Sequence, residues 1–204
     1  MNNLDKLFKE VGDFEHFARG YFKYLYDLLN RIEISTIEKF VQELEDSRIN
    51  NNSIFLAGNG GSAATASHMA NDIGTDVLKK GKSDKPFRAF ALTDNVAVMS
   101  AIANDDGYEN VFVNQLKVHY RDGDKLVVIS ASGNSPNIVA AAEWVKNRGG
   151  KVIGLIGFDG GRLKDICDIV VHVKTPKGEY GPVEDIHMII DHLISNWLIC
   201  KLQR

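Results

Sequence analysis

From residue 53 onward the chain alternates short runs of β-branched and apolar residues with longer stretches of helical period. That alternation restricts the architecture. Residues 53–57, 87–91, 125–130, 151–156 and 169–173 read as strands. Residues 62–79, 95–103, 108–120, 136–147 and 161–166 read as helices between and after them, and a long final helix covers 183–202. Strands separated by helical crossovers pair in parallel, and a parallel sheet needs helices over both faces. Ahead of this region, Leu7, Val11, Phe14, Phe17, Tyr21, Tyr24, Leu28 and Leu29 recur at helical intervals, as do Ile34, Ile37, Phe40, Val41 and Leu44. This pattern predicts a helical hairpin whose broad aromatic stripe suits subunit contact. No repeat or linker divides the sequence. The expectation is a single domain over 1–204, with 1–50 as a helical extension.

Two hundred and four residues exceed the usual ~150 per domain yet suit one large α/β unit with a core that needs no disulfide or structural metal. Lys+Arg 24 against Asp+Glu 27 gives a net charge of −3, so no bulk positive field draws nucleic acid or an anionic membrane. Cys167 and Cys200 lack metal-ligand spacing and read as reduced packing residues. No segment approaches the ~20 apolar residues of a membrane span, and the N-terminal segment carries acids where a signal peptide would be apolar. A cytoplasmic protein is expected.

Two loops carry the chemistry. The first strand runs into Gly58-Asn59-Gly60-Gly61-Ser62, just ahead of a helix. Glycine permits positive φ and lets a ligand approach the backbone, and a helix start offers free N–H groups and a favourable dipole to an anion. The pattern is neither a Walker loop nor a dinucleotide fingerprint. The third strand ends in Ser130-Ala131-Ser132-Gly133-Asn134-Ser135, with Pro136 placed as the first residue of a helix. N-capping requires one serine and leaves the others unexplained. Both loops follow strand carboxyl ends, where open parallel sheets bind ligands. A small phosphorylated ligand is the favoured reading.

His68 and Asp72 are four residues apart and share a helix face. The last helix offers Glu184, Asp185, His187, Asp191 and His192, and spacing alone does not choose among them.

The strand–GNGGSAA–helix start, the ISASGNSPN segment and the EDIHMIIDH helix together resemble the sugar isomerase (SIS) family, above all its phosphoheptose isomerase branch. The likeness covers nearly the whole chain. It implies a three-layer α/β sandwich with a five-stranded parallel, flavodoxin-like sheet, and a homotetramer with sites at subunit interfaces. Residue by residue, the family's metal ligands fall on His68, Asp72, Glu184 and His192, implying one zinc ion per subunit. The catalytic positions fall on Asp72 and His192. The substrate contacts fall on Asn59, Gly60, Gly61, Ser62, Asp72, Asn104, Asp105, Ser130, Ala131, Ser132, Ser135 and Glu184. His187 falls on a non-ligand position.

The implied reaction is aldose–ketose exchange through an enediol, most specifically on sedoheptulose 7-phosphate, with Asp72 moving the proton at carbon and His192 serving the opposite side. Three positions depart from the family pattern. Asp72 stands where glutamate is usual, Glu184 where glutamine is usual, and Asp76 where an arginine is usual. The alternatives are a non-catalytic relative that binds a phosphosugar or a protein such as a replication initiator, and a sugar-phosphate sensor domain.

Overall fold

The computed structural model describes residues 2–203. Five parallel strands, β1 (Ser53–Gly58), β2 (Arg88–Ala91), β3 (Lys125–Ser130), β4 (Lys151–Gly157) and β5 (Ile169–Val173), form one sheet in the order β2-β1-β3-β4-β5. This is the flavodoxin-like order, and strand order reverses between β1 and β3. Register is fixed by pairs such as Leu56 with Val127 and Val128 with Gly154. All of β1 and β3 is buried, as strands covered on both faces require.

Side-chain alternation divides the core into two layers. Ile54, Leu56, Val127, Ile129, Ile153 and Leu155 point to one face. There they meet α3 (Ile34–Ile49), α4 (Gly61–Asn71) and α10 (Tyr180–Leu202) through Phe40, Leu44, Met69, Ile186 and Ile190. Phe55, Ala57, Leu126, Val128 and Val152 point to the other, against α7 (Val113–His119) and α8 (Pro136–Asn147). The expected sandwich is present, with strand ends within a residue of those read from the sequence.

The N-terminal region is three helices rather than a hairpin: α1 (Asn3–Val11), α2 (Phe14–Leu29) and α3. Phe40 and Leu44 of α3 are fully buried against the sheet, so α3 is part of the sandwich and only α1 and α2 lie outside it. Leu28 of α2 is buried in the core, with Tyr24, Leu25 and Leu29 packed beside it, and three hydrogen bonds of 2.5 Å add to this contact: Tyr24 Oη and the Asn3 N–H donate to Glu179, and Tyr21 Oη donates to Asp185. Phe8, Phe14, Phe22 and Tyr26 remain exposed on these helices.

The segment expected as one helix over 62–79 is interrupted. After α4 the backbone makes a π turn over Asp72–Asp76, then resumes as α5 (Val77–Gly81). The wider turn begins at a candidate catalytic residue, where such turns are often found. The helix expected over 108–120 opens as a 3₁₀ turn over Tyr108–Asn110 before α7, and α6 (Val96–Asp105) and α9 (Leu163–Ile166) complete the chain. Among the described residues no helix is long and apolar enough to cross a membrane.

Candidate active site

The site is assembled at the reversal in strand order. Gly60 has φ +54°, ψ −123°, a conformation closed to other residues. Gly58 and Gly61 serve a different need. A Cβ on Gly58 would stand 2.2 Å from the Ser62 carbonyl oxygen, and one on Gly61 would stand 2.2 Å from Glu184 Oε2. Two glycines of the loop therefore exist for close approach, one of them to a side chain of α10.

The two loops face each other and are tied by a reciprocal amide pair. Asn59 Nδ2 donates to Asn137 Oδ1 and Asn137 Nδ2 donates to Asn59 Oδ1, both at 2.9 Å. Tyr108 Oη adds a donor to Asn59 Oδ1 at 3.0 Å. Asn137 and Tyr108 were not singled out from the sequence, and only the asparagine at the second position of the helix after Pro136 hinted at the tie.

Between the loops lies a cavity of about 130 Å³. Asn59 and Ser62 line it from the first loop, Ser130, Ala131, Ser132 and Ser135 from the second, and Tyr180 and Glu184 from α10. It is smaller than an ordinary small-molecule pocket of ~300–1,000 Å³, a size for one anionic group. The N-termini of α4, α8 and α10 start at Gly60, Ser135 and Glu179, and none carries a side-chain cap. The Ser135 hydroxyl is therefore not used as the cap that its position before Pro136 suggests. Free N–H groups at these helix starts and the serine hydroxyls form an anion cradle. Burial, then the neighbouring charge of Asp185, pushes the Glu184 carboxyl above the usual carboxylate range.

Further along α4 and α10 stands the second constellation. His68 Nε2 lies 3.0 Å from His192 Nε2, and Asp72 Oδ2 lies 3.5 Å from the first and 4.0 Å from the second. Asp191 completes the group, with one potential ligand atom from each of His68, Asp72, Asp191 and His192 all within 4.8 Å of one another. His68 and His192, 124 positions apart, and with them Asp72 and His192, the residues expected as base and acid, are thus brought together by packing α4 against α10.

Glu184 is not in this cluster; it faces the cavity. Asp191 is fully buried and neither of its oxygens has a hydrogen-bond partner among the described residues. Burial, then the charge of Asp72, raises its pKa to about 7. His187, one turn before it, is also fully buried, with Nε2 3.4 Å from the Ile156 carbonyl oxygen, and desolvation lowers its pKa to about 4. Asn104 and Asp105 close α6 in exposed positions, with Asn104 Nδ2 donating to Asp105 Oδ1 at 2.7 Å, and they do not line the cavity. Asp76 pairs with Lys80.

A SIS domain matches residues 20–157, and a phosphoheptose isomerase from a Nitratiruptor species is 41% identical over 147 residues, covering 72% of this chain and 76% of that protein. The chain belongs to the SIS family, in its phosphoheptose isomerase branch. A second member of the branch, the phosphoheptose isomerase of Aneurinibacillus thermoaerophilus, is 40% identical over 71% of each chain. The phosphoheptose isomerase structure from Neisseria gonorrhoeae superposes with a TM-score of 0.77 at 29% identity, covering 90% of this chain and 95% of that one. The one from Francisella tularensis gives 0.75 at 25% identity over 98% and 100%. The fold described above is therefore shared with these two structures.

Proposed function

We propose that this chain interconverts a ketose phosphate and its aldose, with sedoheptulose 7-phosphate as the ketose. The observation that carries this reading is the approach of Asp72 Oδ2 to His192 Nε2, 4.0 Å apart on separate helices. The uncapped helix ends and serine-rich loop receive the phosphate. Binding there fixes the sugar and makes proton transfer effectively unimolecular. Asp72 takes the proton from the carbon beside the carbonyl and returns it to the adjacent carbon. His192 moves the proton between the two sugar oxygens from the other side. A carboxylate and an imidazole together span the acid and base roles near neutral pH.

The cluster also suits a divalent metal. Two imidazole nitrogens and carboxylate oxygens are zinc donors, and tetrahedral zinc spaces its ligands about 3.3 Å apart, close to the 3.0 and 3.5 Å observed. His68, Asp72 and His192 would hold it, one ion per subunit, with proton transfer left to the second carboxylate oxygen of Asp72 and the second ring nitrogen of His192. When bound, zinc supplies polarisation of the sugar oxygens. The exposed aromatic residues of α1 and α2 support assembly as a homotetramer, and the two free thiols suit a reducing, cytoplasmic setting.

The test is solvent-hydrogen exchange into sedoheptulose 7-phosphate followed by product analysis. Exchange at the carbon beside the carbonyl, with aldose formed, is expected. Absence of exchange with every C5–C7 phosphosugar, by metal-replete protein, would refute an isomerase.

A further inference from the structure

Asp191 presents a physical problem. Its side chain has no solvent exposure, and both carboxylate oxygens lack a donor among the described residues. A buried carboxylate without a partner is costly, and native proteins hold such groups in pairs or on metals. The polar atoms nearest at hand are acceptors or ambivalent. Asp72 offers a second carboxylate, which repels it. His68 and His192 point Nε2 at each other across 3.0 Å, so one proton at most lies between them and the other nitrogen presents a lone pair. Four groups rich in lone pairs converge within 4.8 Å. A cation in their midst satisfies the orphan oxygens of Asp191, relieves the two carboxylates and gives both imidazoles a partner.

Glu184 stands apart from this arrangement. It begins about 12 Å along the helix axis from His192, and its carboxylate rests against Gly61 in the anion cavity. Asp191 is adjacent to His192 and shares its level on α10. The charges also balance: two carboxylates and two neutral imidazoles cancel a divalent cation.

We propose that Asp191, and not Glu184, is the second carboxylate ligand of a divalent transition metal bound by His68, Asp72 and His192, leaving Glu184 to contact substrate. This inference rests on the metal-bearing reading of the site given above. It assigns separate duties to the two acidic residues of α10: one carboxylate faces the ion and the other faces the sugar phosphate.

Cobalt(II) alone, titrated into the metal-free full-length protein, provides the test. Wild-type protein is expected to take up one Co²⁺ per chain with the visible d–d bands of a four-coordinate site. Asp191→Asn is expected to weaken binding at least 100-fold and shift those bands, whereas Glu184→Gln leaves both within about two-fold. Cysteine placed at each position reads ligation directly. Asp191→Cys should show a near-ultraviolet thiolate-to-Co²⁺ charge-transfer band absent from wild type, and Glu184→Cys should not. Circular dichroism of each metal-free variant confirms folding, and Asp191→Asn keeps the test usable if the cysteine variant fails to fold. A charge-transfer band in Glu184→Cys, with Asp191→Asn binding Co²⁺ as wild type does, would overturn the assignment while leaving a metal site intact. Wild-type protein that binds no Co²⁺ would overturn the metal reading itself and this inference with it.

Discussion

Asn59 and Asn137 exchange two side-chain hydrogen bonds of 2.9 Å each, locking the loop after β1 to the first turn of α8 across the reversal in strand order. Asn137 is 2% exposed, and its Oδ1 also accepts from the Ile138 N–H at 3.0 Å. The pair sets how far apart the two anion-binding loops stand. Removing Asn137 takes both bonds from the half-buried Asn59 amide and the side-chain acceptor from the buried Ile138 N–H, which together cost about 1–3 kcal/mol. Asn137→Ala is therefore expected to lower unfolding free energy by that amount in urea melts and to raise KM for the phosphosugar more than it lowers kcat.

Gly61→Ala should act on the substrate without unfolding the chain. The added methyl would stand 2.2 Å from Glu184 Oε2, the far end of a side chain that can swing away. The displaced carboxylate leaves or blocks the cavity. A rise in KM of about ten-fold or more is expected, with a far-ultraviolet spectrum like that of wild type. Unchanged KM would show that Glu184 does not contact the sugar.

Substitutions at the acid–base couple should separate chemistry from assembly. Asp72→Asn and His192→Ala are each expected to lower kcat by about 10²–10⁴-fold, with elution on gel filtration unchanged. Asp72→Glu lengthens the side chain by roughly 1.5 Å. With the π turn over Asp72–Asp76 taken as the device that seats the shorter acid, this variant is expected to lose about 100-fold. A gain in rate from Asp72→Glu would mean that the turn does not compensate.

His187 and Asp191 make opposed contributions to the pH dependence of stability. His187, buried and lowered to about 4, binds fewer protons folded than unfolded, so its contribution falls as pH drops below its ordinary 6.5 and levels off near 4. From pH 7 to pH 5 this amounts to about 2 kcal/mol lost. Asp191, raised to about 7, binds more protons folded than unfolded and changes in the opposite sense over the same interval. These two contributions therefore nearly cancel in the metal-free wild type. His187→Gln should remove only the first contribution, so its stability measured by urea melts should rise relative to wild type by about 2 kcal/mol on going from pH 7 to pH 5. Parallel pH profiles of the two proteins would refute the buried neutral imidazole.

Much of the fold was legible because its signals are local. Runs such as Leu126-Val127-Val128-Ile129 have no solvated face, which marks a strand covered on both sides, and the helical intervals between runs imply parallel crossovers. The glycine and serine loops were legible for the same reason. The π turn at Asp72 was not, since nothing in residues 72–76 breaks the helical period. Nor was α3's place in the sandwich, because an amphipathic helix looks alike whether it covers its own sheet or a neighbour.

By itself the sequence determined the sheet, the two anion-binding turns and the pool of acids and imidazoles, since backbone conformation and side-chain chemistry are properties of short segments. Only the tertiary structure decided which of those acids meet. The pitch of α10 against α4 puts Asp191 with His68, Asp72 and His192 and sends Glu184 to the anion cavity. Spacing along one helix fixes direction around its axis, whereas the distance to another helix depends on packing that no single segment encodes.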